Sequence, residues 1–547
     1  MAQTEEVAFP RLTSAEFAII KRLATPCDYA DGETIFRAGQ AEIDLYVVES
    51  GQIEIRNPTD GGRLIVTHGP DQFSGDIDLL TGRPVIVTAV ARGATRVLRV
   101  PNSHLRALLN RVPTFGEKLI VAFTRRRELL SELGTFGLRV VGPGHCRDTN
   151  TVREFLYKNF VPFTWFDPET EAGRNVLVAL GSPQKSPVIE CGDGRVLVNP
   201  SLQELAVGAG IWKQCPSQEV DFAIVGAGPA GIAAAVYASS EGLSTLLLDQ
   251  LGPGGQAGGS SRIENFIGFP AGLSGAELAT RGVLQMLKFG ARILAPVAVV
   301  KLTAAKSADD LHVLHLDCGA EIRSRVVLLA LGVRWRRLEA TGADRFAGAG
   351  IFYACTTVEA DLYDGSDVAV VGAGNSAGQA VMFLAECCPT RKVHMLIRRT
   401  LGRGMSEYLS SRIRATANVV VHEETEIETV YGSRRIEEIS LKGNAATAPG
   451  RVPCSAVFVF IGAEPSAEWL PAELARDANG YLLTGTDVVR SGFWPRADRD
   501  PCPLETTLPG VLAAGDIRSG ATKRVGFAVG DGSLAVTCAH RLLSIER

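Results

Sequence analysis

Gly226-Ala227-Gly228-Pro229-Ala230-Gly231 follows the apolar run at residues 222–225 and leads into an Ala-rich helical pattern at 232–239. A strand, a glycine turn and a helix in that order form a dinucleotide-binding unit. The glycines allow a tight turn and close backbone approach, and the pyrophosphate rests on N–H groups at the helix N-terminus. A second copy, Gly372-Ala373-Gly374-Asn375-Ser376-Ala377-Gly378, follows residues 368–371 and leads into 379–386. One such motif is weak evidence. Two in one chain, each in the right context, imply two nucleotides, a flavin and a nicotinamide.

The ends of the next strands separate the two copies. After the first, residues 245–248 end in Asp249, an acid positioned to accept hydrogen bonds from a ribose. After the second, residues 393–397 end in Arg398-Arg399, with Arg403 beyond. Paired guanidiniums there favour a ribose 2′-phosphate through charge-assisted, often bidentate bonds, so NADPH is expected rather than NADH. The alternatives are a loop acid and an exposed basic turn.

Bulk composition sets limits on the rest. A chain of 547 residues has room for about three to four domains. The net charge of −4 provides no basic field for nucleic acid or an anionic membrane. No apolar stretch has the length of a membrane span, and the opening Met1-Ala2-Gln3-Thr4-Glu5-Glu6 lacks the order of a signal peptide. The eleven cysteines form no framework, and Cys387-Cys388 is the only close pair. Scattered thiols of this kind point to a reducing cytoplasm. No metal site is expected.

Residues 1–135 are β-rich. A helical pattern at Ser14–Leu23 precedes expected strands at 34–37, 45–48, 52–55, 63–67 and 85–91, with turns at Gly32, Gly39, Gly51 and Gly61-Gly62. A helix at 115–133 closes the unit, and the spacing predicts a barrel or jelly roll. The stretches Asp31-Gly32-Glu33-Thr34-Ile35-Phe36-Arg37-Ala38-Gly39 and Leu45-Tyr46-Val47-Val48-Glu49-Ser50-Gly51 resemble the cyclic-nucleotide-binding domain family. By that resemblance the ligand loop would carry Glu for the ribose and Arg for the cyclic phosphate. Here Asp76 stands in the first place and Val85 in the second. Losing one partner of a buried charged pair costs roughly 2–5 kcal/mol. A shell that binds no cyclic nucleotide is therefore expected, with Arg83 as the alternative phosphate ligand.

Residues 136–215 predict a small second domain: strand 138–141, helix 151–159, strand 163–166, then Pro187-Val188-Ile189 and a last helix from Ser201. This order resembles the glutaredoxin/thioredoxin-like fold, with Ser186-Pro187 at that family's cis-proline position. Cys146-Arg147-Asp148-Thr149 occupies the redox position. A thiol at a helix N-terminus can be nucleophilic, but Cys146 alone requires an external resolving thiol. The alternative is a structural docking domain. Residues 216–219 are expected to be a linker.

From Asp221 to Leu543 the chain resembles low-molecular-weight thioredoxin reductase. The motifs are Gly252-Pro253-Gly254-Gly255-Gln256, Glu264-Asn265-Phe266-Ile267-Gly268-Phe269-Pro270, and Leu508 through Gly515-Asp516, followed by Lys523-Arg524-Val525 and a helix from Gly530. The resemblance implies FAD contacts at Gly255, Gln256 and Asn265, and hydroxyl or phosphate binding at Gly515-Asp516. It places the flavin pyrimidine near Arg524-Val525. It also implies two Rossmann-like α/β domains, for FAD (218–338 with 463–547) and NADPH (339–462), and a homodimer is the expected assembly. In that family electrons leave the flavin through Cys-x-x-Cys. Here the aligned residues are Cys355-Thr356-Thr357-Val358, and a single cysteine cannot close the disulfide.

The leading expectation is an FAD-dependent NADPH oxidoreductase whose electrons leave the flavin by a route other than Cys-x-x-Cys, to the glutaredoxin-like domain through Cys146, a quinone, an iron protein or dioxygen. The candidate thiols are Cys146 and Cys355. A nucleotide- or redox-sensing regulatory flavoprotein with little turnover is the alternative.

Overall fold

A computed structural model describes residues 6–58, 61–132, 137–211, 217–260, 262–307, 310–355, 357–402, 404–443 and 450–545. The chain divides into two compact units. One comprises residues 1–142, 155–214 and 283–292, and the other 143–154, 215–282 and 293–547.

The first unit opens with the helix Ser14–Leu23, whose capping box joins Thr13 and Glu16. An antiparallel five-stranded sheet follows, ordered Thr25–Tyr29, Thr88–Val100, Leu45–Asn57, Arg63–His68, with Thr34–Phe36 also paired to Thr88–Val100. Two sequence expectations are corrected here. Residues 45–48 and 52–55 belong to one strand, and Gly51 is a bulge within it rather than a turn. Its φ is +78°, and a Cβ there would lie 2.6 Å from the Ala94 carbonyl. The strand expected at 85–91 begins at Thr88 and runs on to Val100. The helix Pro113–Glu132 lies over a core of Phe73, Phe115 and Phe123. Residue 133 lies outside the described residues.

The same unit holds a four-stranded sheet ordered Phe163–Phe166, Leu138–Val141, Val188–Glu190, Val196–Val198. Its first pair is parallel and the other two are antiparallel. The helix expected at 151–159 is Arg147–Lys158, because its polar first turn carries no apolar signal. The last helix, Leu202–Gly208, is capped by Ser201 and Glu204. The helix Glu171–Ala179 and the strand Val196–Val198 were not anticipated; both are short and largely exposed. The Ser186–Pro187 peptide is cis.

The second unit contains two sheets of parallel character. In the first, Thr245–Leu248, Gln218–Val225, Glu321–Leu329 and Val511–Ala513 run parallel in that order, and an antiparallel extension runs through His312–Leu316 to Val299–Thr303. The expected linker at 216–219 gives way to strand by Gln218, which pairs with Ile322. In the second sheet Ile351–Phe352, Ala456–Val459, Val368–Val371, Val393–Leu396 and Val419–His422 are all parallel. Strands covered on both faces read as unbroken apolar runs, which is why residues 245–248 and 368–371 were legible from sequence. A two-stranded ribbon, Val333–Trp335 with Ala463–Pro465, carries the chain from one sheet to the other and back. An antiparallel group, Thr425–Tyr431, Glu438–Gly443 and Arg451–Pro453, lies beyond the second sheet.

Candidate functional site

The strand Gln218–Val225 delivers Gly226 into a turn with φ of +106°, where a Cβ would lie 2.3 Å from the Ala330 carbonyl. Gly228 is the N-cap of the helix Pro229–Ser240, and no side chain caps that helix. At Gly231 a Cβ would come 1.9 Å from the Gly226 carbonyl, so only glycine lets the helix approach its own turn. Gly255 faces this turn with φ of +54°, and its Cβ would lie 2.9 Å from Gly228 Cα. An uncapped helix N-terminus walled by glycine backbone has the room and the donors that a pyrophosphate needs.

Asp249 ends the neighbouring strand and accepts hydrogen bonds from Ala227 N (2.8 Å), Leu251 N (2.9 Å) and Gly252 N (2.8 Å). Its carboxylate thus ties the two glycine loops together at the place foreseen for a ribose. Gln256 donates through Nε2 to the Val333 carbonyl, and Asn265 is exposed in its loop. Gly515 N donates to Asp531 Oδ2 at 2.9 Å, and Arg518 pairs with the same oxygen at 2.9 Å. Burial raises the Asp516 carboxyl above the ordinary range, against the opposing pull of Lys523. The last helix begins at Val525, five residues before the expected Gly530; Arg524 is exposed, and its backbone carbonyl accepts Ala528 N at 3.0 Å. The early start is hidden in sequence because Gly526 and Gly530 interrupt the apolar period of the first two turns.

The second fingerprint repeats the design. Gly372 has φ of +145°, and a Cβ there would lie 2.4 Å from the Phe460 carbonyl. Gly374 caps the helix Asn375–Cys387 without a side-chain hydrogen bond. Asn375 Oδ1 accepts Ser406 N at 2.8 Å, while Ser376 is exposed. A cavity of about 1300 Å³ opens from this turn, lined by Gly372, Ala373, Leu396, Arg398, Arg399 and Phe460 among others. The strand-end arginines therefore share one cavity with the glycine turn. Arg403 lies outside the described residues. Sequence reading missed Arg334, Arg336 and Arg337 in the cavity lining, although the run Arg334-Trp335-Arg336-Arg337 was visible as a basic cluster. It also missed Glu426 and Lys442, a cross-strand pair with no local signal.

The two candidate thiols have different surroundings. Cys355 is 2 % exposed within a core that includes Val368, Val370 and Phe458. Burial holds its thiol well above the usual range. Val358 lies in the helix Thr357–Leu362, and its side chain is outside the described set. Cys146 is half-buried at the start of the helix Arg147–Lys158, where its carbonyl accepts Asn150 N at 3.1 Å.

In the first unit, the loop read as a cyclic-phosphate cassette is engaged by protein. Arg127 bridges Asp76 (3.3 Å) and Asp78 (2.8 Å). Arg83, the alternative phosphate ligand, donates to the Asn159 carbonyl, and a Cβ at Gly210 would lie 3.3 Å from the Pro84 ring. Val85 is buried, with its N–H on the Gln40 carbonyl at 3.0 Å.

The sequence matches the family model described as pyridine nucleotide-disulphide oxidoreductase over residues 220–532, a span that includes both glycine turns and the cavity. The chain belongs to that family. FAD and a nicotinamide nucleotide are the cofactors the family implies, and the two glycine turns fit them. This pyridine nucleotide-disulphide oxidoreductase is similar to a thioredoxin reductase of Mycoplasma genitalium, at 30 % identity over 318 residues, 58 % of this chain and 93 % of that one. It is also similar to an NADH dehydrogenase of Ferdinandcohnia aciditolerans, at 29 % identity over 346 residues, 62 % of this chain and 61 % of that one. The solved thioredoxin reductase of T. acidophilum shares the fold, with a TM-score of 0.53 and 24 % identity over 60 % of this chain and 100 % of that one. Residues 26–112 match the cyclic nucleotide-binding domain. Among the described residues no helix is long and apolar enough to cross a membrane.

Proposed function

We propose that the protein is an FAD-dependent, NADPH-oxidising oxidoreductase whose electrons leave by a route other than a Cys-x-x-Cys pair. The observation that carries this reading is Cys355: buried in a hydrocarbon core, held protonated, and followed three residues later by Val358 rather than cysteine. A thiol in that state is a poor nucleophile and has no partner with which to close a disulfide.

When bound, the nicotinamide supplies a hydride and the flavin accepts it; the protein contributes positioning and electrostatics. In this proposal the turns at Gly226, Gly228 and Gly231 and at Gly372, Gly374, Asn375 and Ser376 cradle the two pyrophosphates. Asp249, Gly255, Gln256, Asn265, Gly515, Asp516, Arg524 and Val525 surround FAD. Arg398, Arg399 and Arg403 select NADPH, a choice supported by the cavity that the first two share with the second turn.

Residues 136–215 form a glutaredoxin-like domain in this reading, supported by the strand order. The domain limits 1–135, 218–338 with 463–547, and 339–462, a homodimer and a cytoplasmic location belong to the same proposal. The test is steady-state NADPH oxidation with ferricyanide or a quinone, compared with thioredoxin-linked disulfide reduction. Cys355→Ser should leave the first within about twofold, since no charge-assisted or nucleophilic role is removed, and the second should be low already in the wild type. Robust thioredoxin reduction that is lost in Cys355→Ser would refute the reading.

A further inference from the structure

Beyond the strand-end arginines, the mouth of the nucleotide cavity has a second wall. Glu426 and Lys442 lie directly opposite each other on the antiparallel strands Thr425–Tyr431 and Glu438–Gly443, and both line the cavity. Glu426 Oε1 is 3.8 Å from Arg398 Nε, and its other oxygen is 3.9 Å from Lys442 Nζ. Each contact is at the outer limit of an ion pair. The carboxylate thus sits between two cations without a tight bond to either, and all three side chains are exposed. Arg398, Arg399 and Lys442 carry three positive charges and Glu426 one negative charge, leaving a net of +2. A phosphomonoester carries about −1.5 to −2 at neutral pH. It matches that net charge and outbids a single carboxylate for the same cations.

We propose that Lys442 is a ligand for the ribose 2′-phosphate, and that Glu426 is the resident carboxylate this phosphate displaces. Glu426 therefore holds affinity for 2′-phosphorylated nucleotides below what the cations alone would give. When no nucleotide is present it offsets one of the two positive charges of Arg398 and Lys442. The inference rests on the NADPH reading above. It differs from that reading in predicting opposite signs for two residues of one cross-strand pair.

Calorimetric titration of the full-length, FAD-loaded protein with 2′,5′-ADP and with 5′-AMP at low ionic strength tests it, because these probes differ only by the 2′-phosphate. Lys442→Gln should weaken 2′,5′-ADP binding roughly three- to tenfold, and Glu426→Gln should tighten it by a similar factor, as expected for partly exposed charge pairs. Binding of 5′-AMP should change less than about twofold in both, and the gain in Glu426→Gln should shrink with added salt. If Glu426→Gln weakens 2′,5′-ADP binding, the carboxylate positions Arg398 and the proposal is overturned. No change in either variant, with the wild type still preferring 2′,5′-ADP, overturns it while leaving the NADPH reading intact. Equal wild-type affinity for the two probes overturns both.

Discussion

The turn at Gly372 and the loop at Gly75–Val85 are both phosphate-loop sequences, yet they keep their polar groups in opposite states. At Gly372 the helix N-terminus is uncapped, and the strand-end cations face a cavity of about 1300 Å³. At Gly75 the loop is engaged by other parts of its unit: Arg127 holds Asp76 and Asp78, Arg83 is engaged by the Asn159 carbonyl, and Val85 is buried. A loop remains a ligand site when its donors lack protein partners. Once they are paired, the same backbone becomes structural. Substitutions in the first loop should therefore change nucleotide binding, and those in the second should change stability.

The largest effect that would sharpen this contrast is at the matching flavin turn. Gly231→Val puts a branched side chain where even a Cβ would lie 1.9 Å from the Gly226 carbonyl. The purified variant should carry less than about a tenth of the wild-type flavin, read from the ratio of visible to ultraviolet absorbance, since relieving such a clash costs several kcal/mol. A fully yellow variant would show that the glycine turn does not hold the cofactor.

Next comes a pH effect confined to the nucleotide-binding unit. Burial lowers the His312 pKa from 6.5 to about 4, and Nδ1 accepts Ala305 N at 3.1 Å, which requires the neutral ring there. A depressed histidine binds protons more strongly when unfolded. Its contribution is therefore present above pH 6.5 and lost as the pH falls toward 4, on the order of 3 kcal/mol in full. Urea unfolding of His312→Asn should show a correspondingly flatter acid limb than the wild type. An unchanged slope would remove His312 from the account.

A tenfold to hundredfold effect is expected from Arg398→Ala combined with Arg399→Ala. The NADPH concentration that bleaches half the flavin should rise to that of NADH, a loss of about 1.5–3 kcal/mol in total for two exposed guanidiniums that share one phosphate. The smallest effect is in the engaged loop. Arg83→Ala should cost about 1.5 kcal/mol in unfolding without creating cyclic AMP affinity, because a charged hydrogen bond is lost and no phosphate site is opened. Micromolar cyclic AMP binding by the wild type would break the comparison outright.

Much of the nucleotide half was legible because its strands are buried on both faces. Residues 245–248 and 368–371 were read to the residue, and 138–141 and 163–166 likewise in the smaller sheet. Helix starts were read late at Arg147, Asn375 and Val525, since polar or glycine first turns break the apolar period. Gly51 read as a turn because glycine marks bulges and turns alike. The partners of Arg83 and the Glu426–Lys442 pair depend on contacts distant in sequence, which no local pattern encodes. The burial of Cys355 lies in the same class: the missing second cysteine was evident, but the hydrocarbon packing around the first was not.

The central claim is that no redox-active disulfide stands between flavin and acceptor, and counting electrons tests it most directly. In an anaerobic titration followed at the flavin absorbance maximum, NADPH should bleach the protein fully at about one equivalent per flavin, because the flavin alone accepts two electrons. Cys355→Ser should give the same end point. An end point near two equivalents in the wild type, falling to one in Cys355→Ser, would reveal a second two-electron centre and contradict the account.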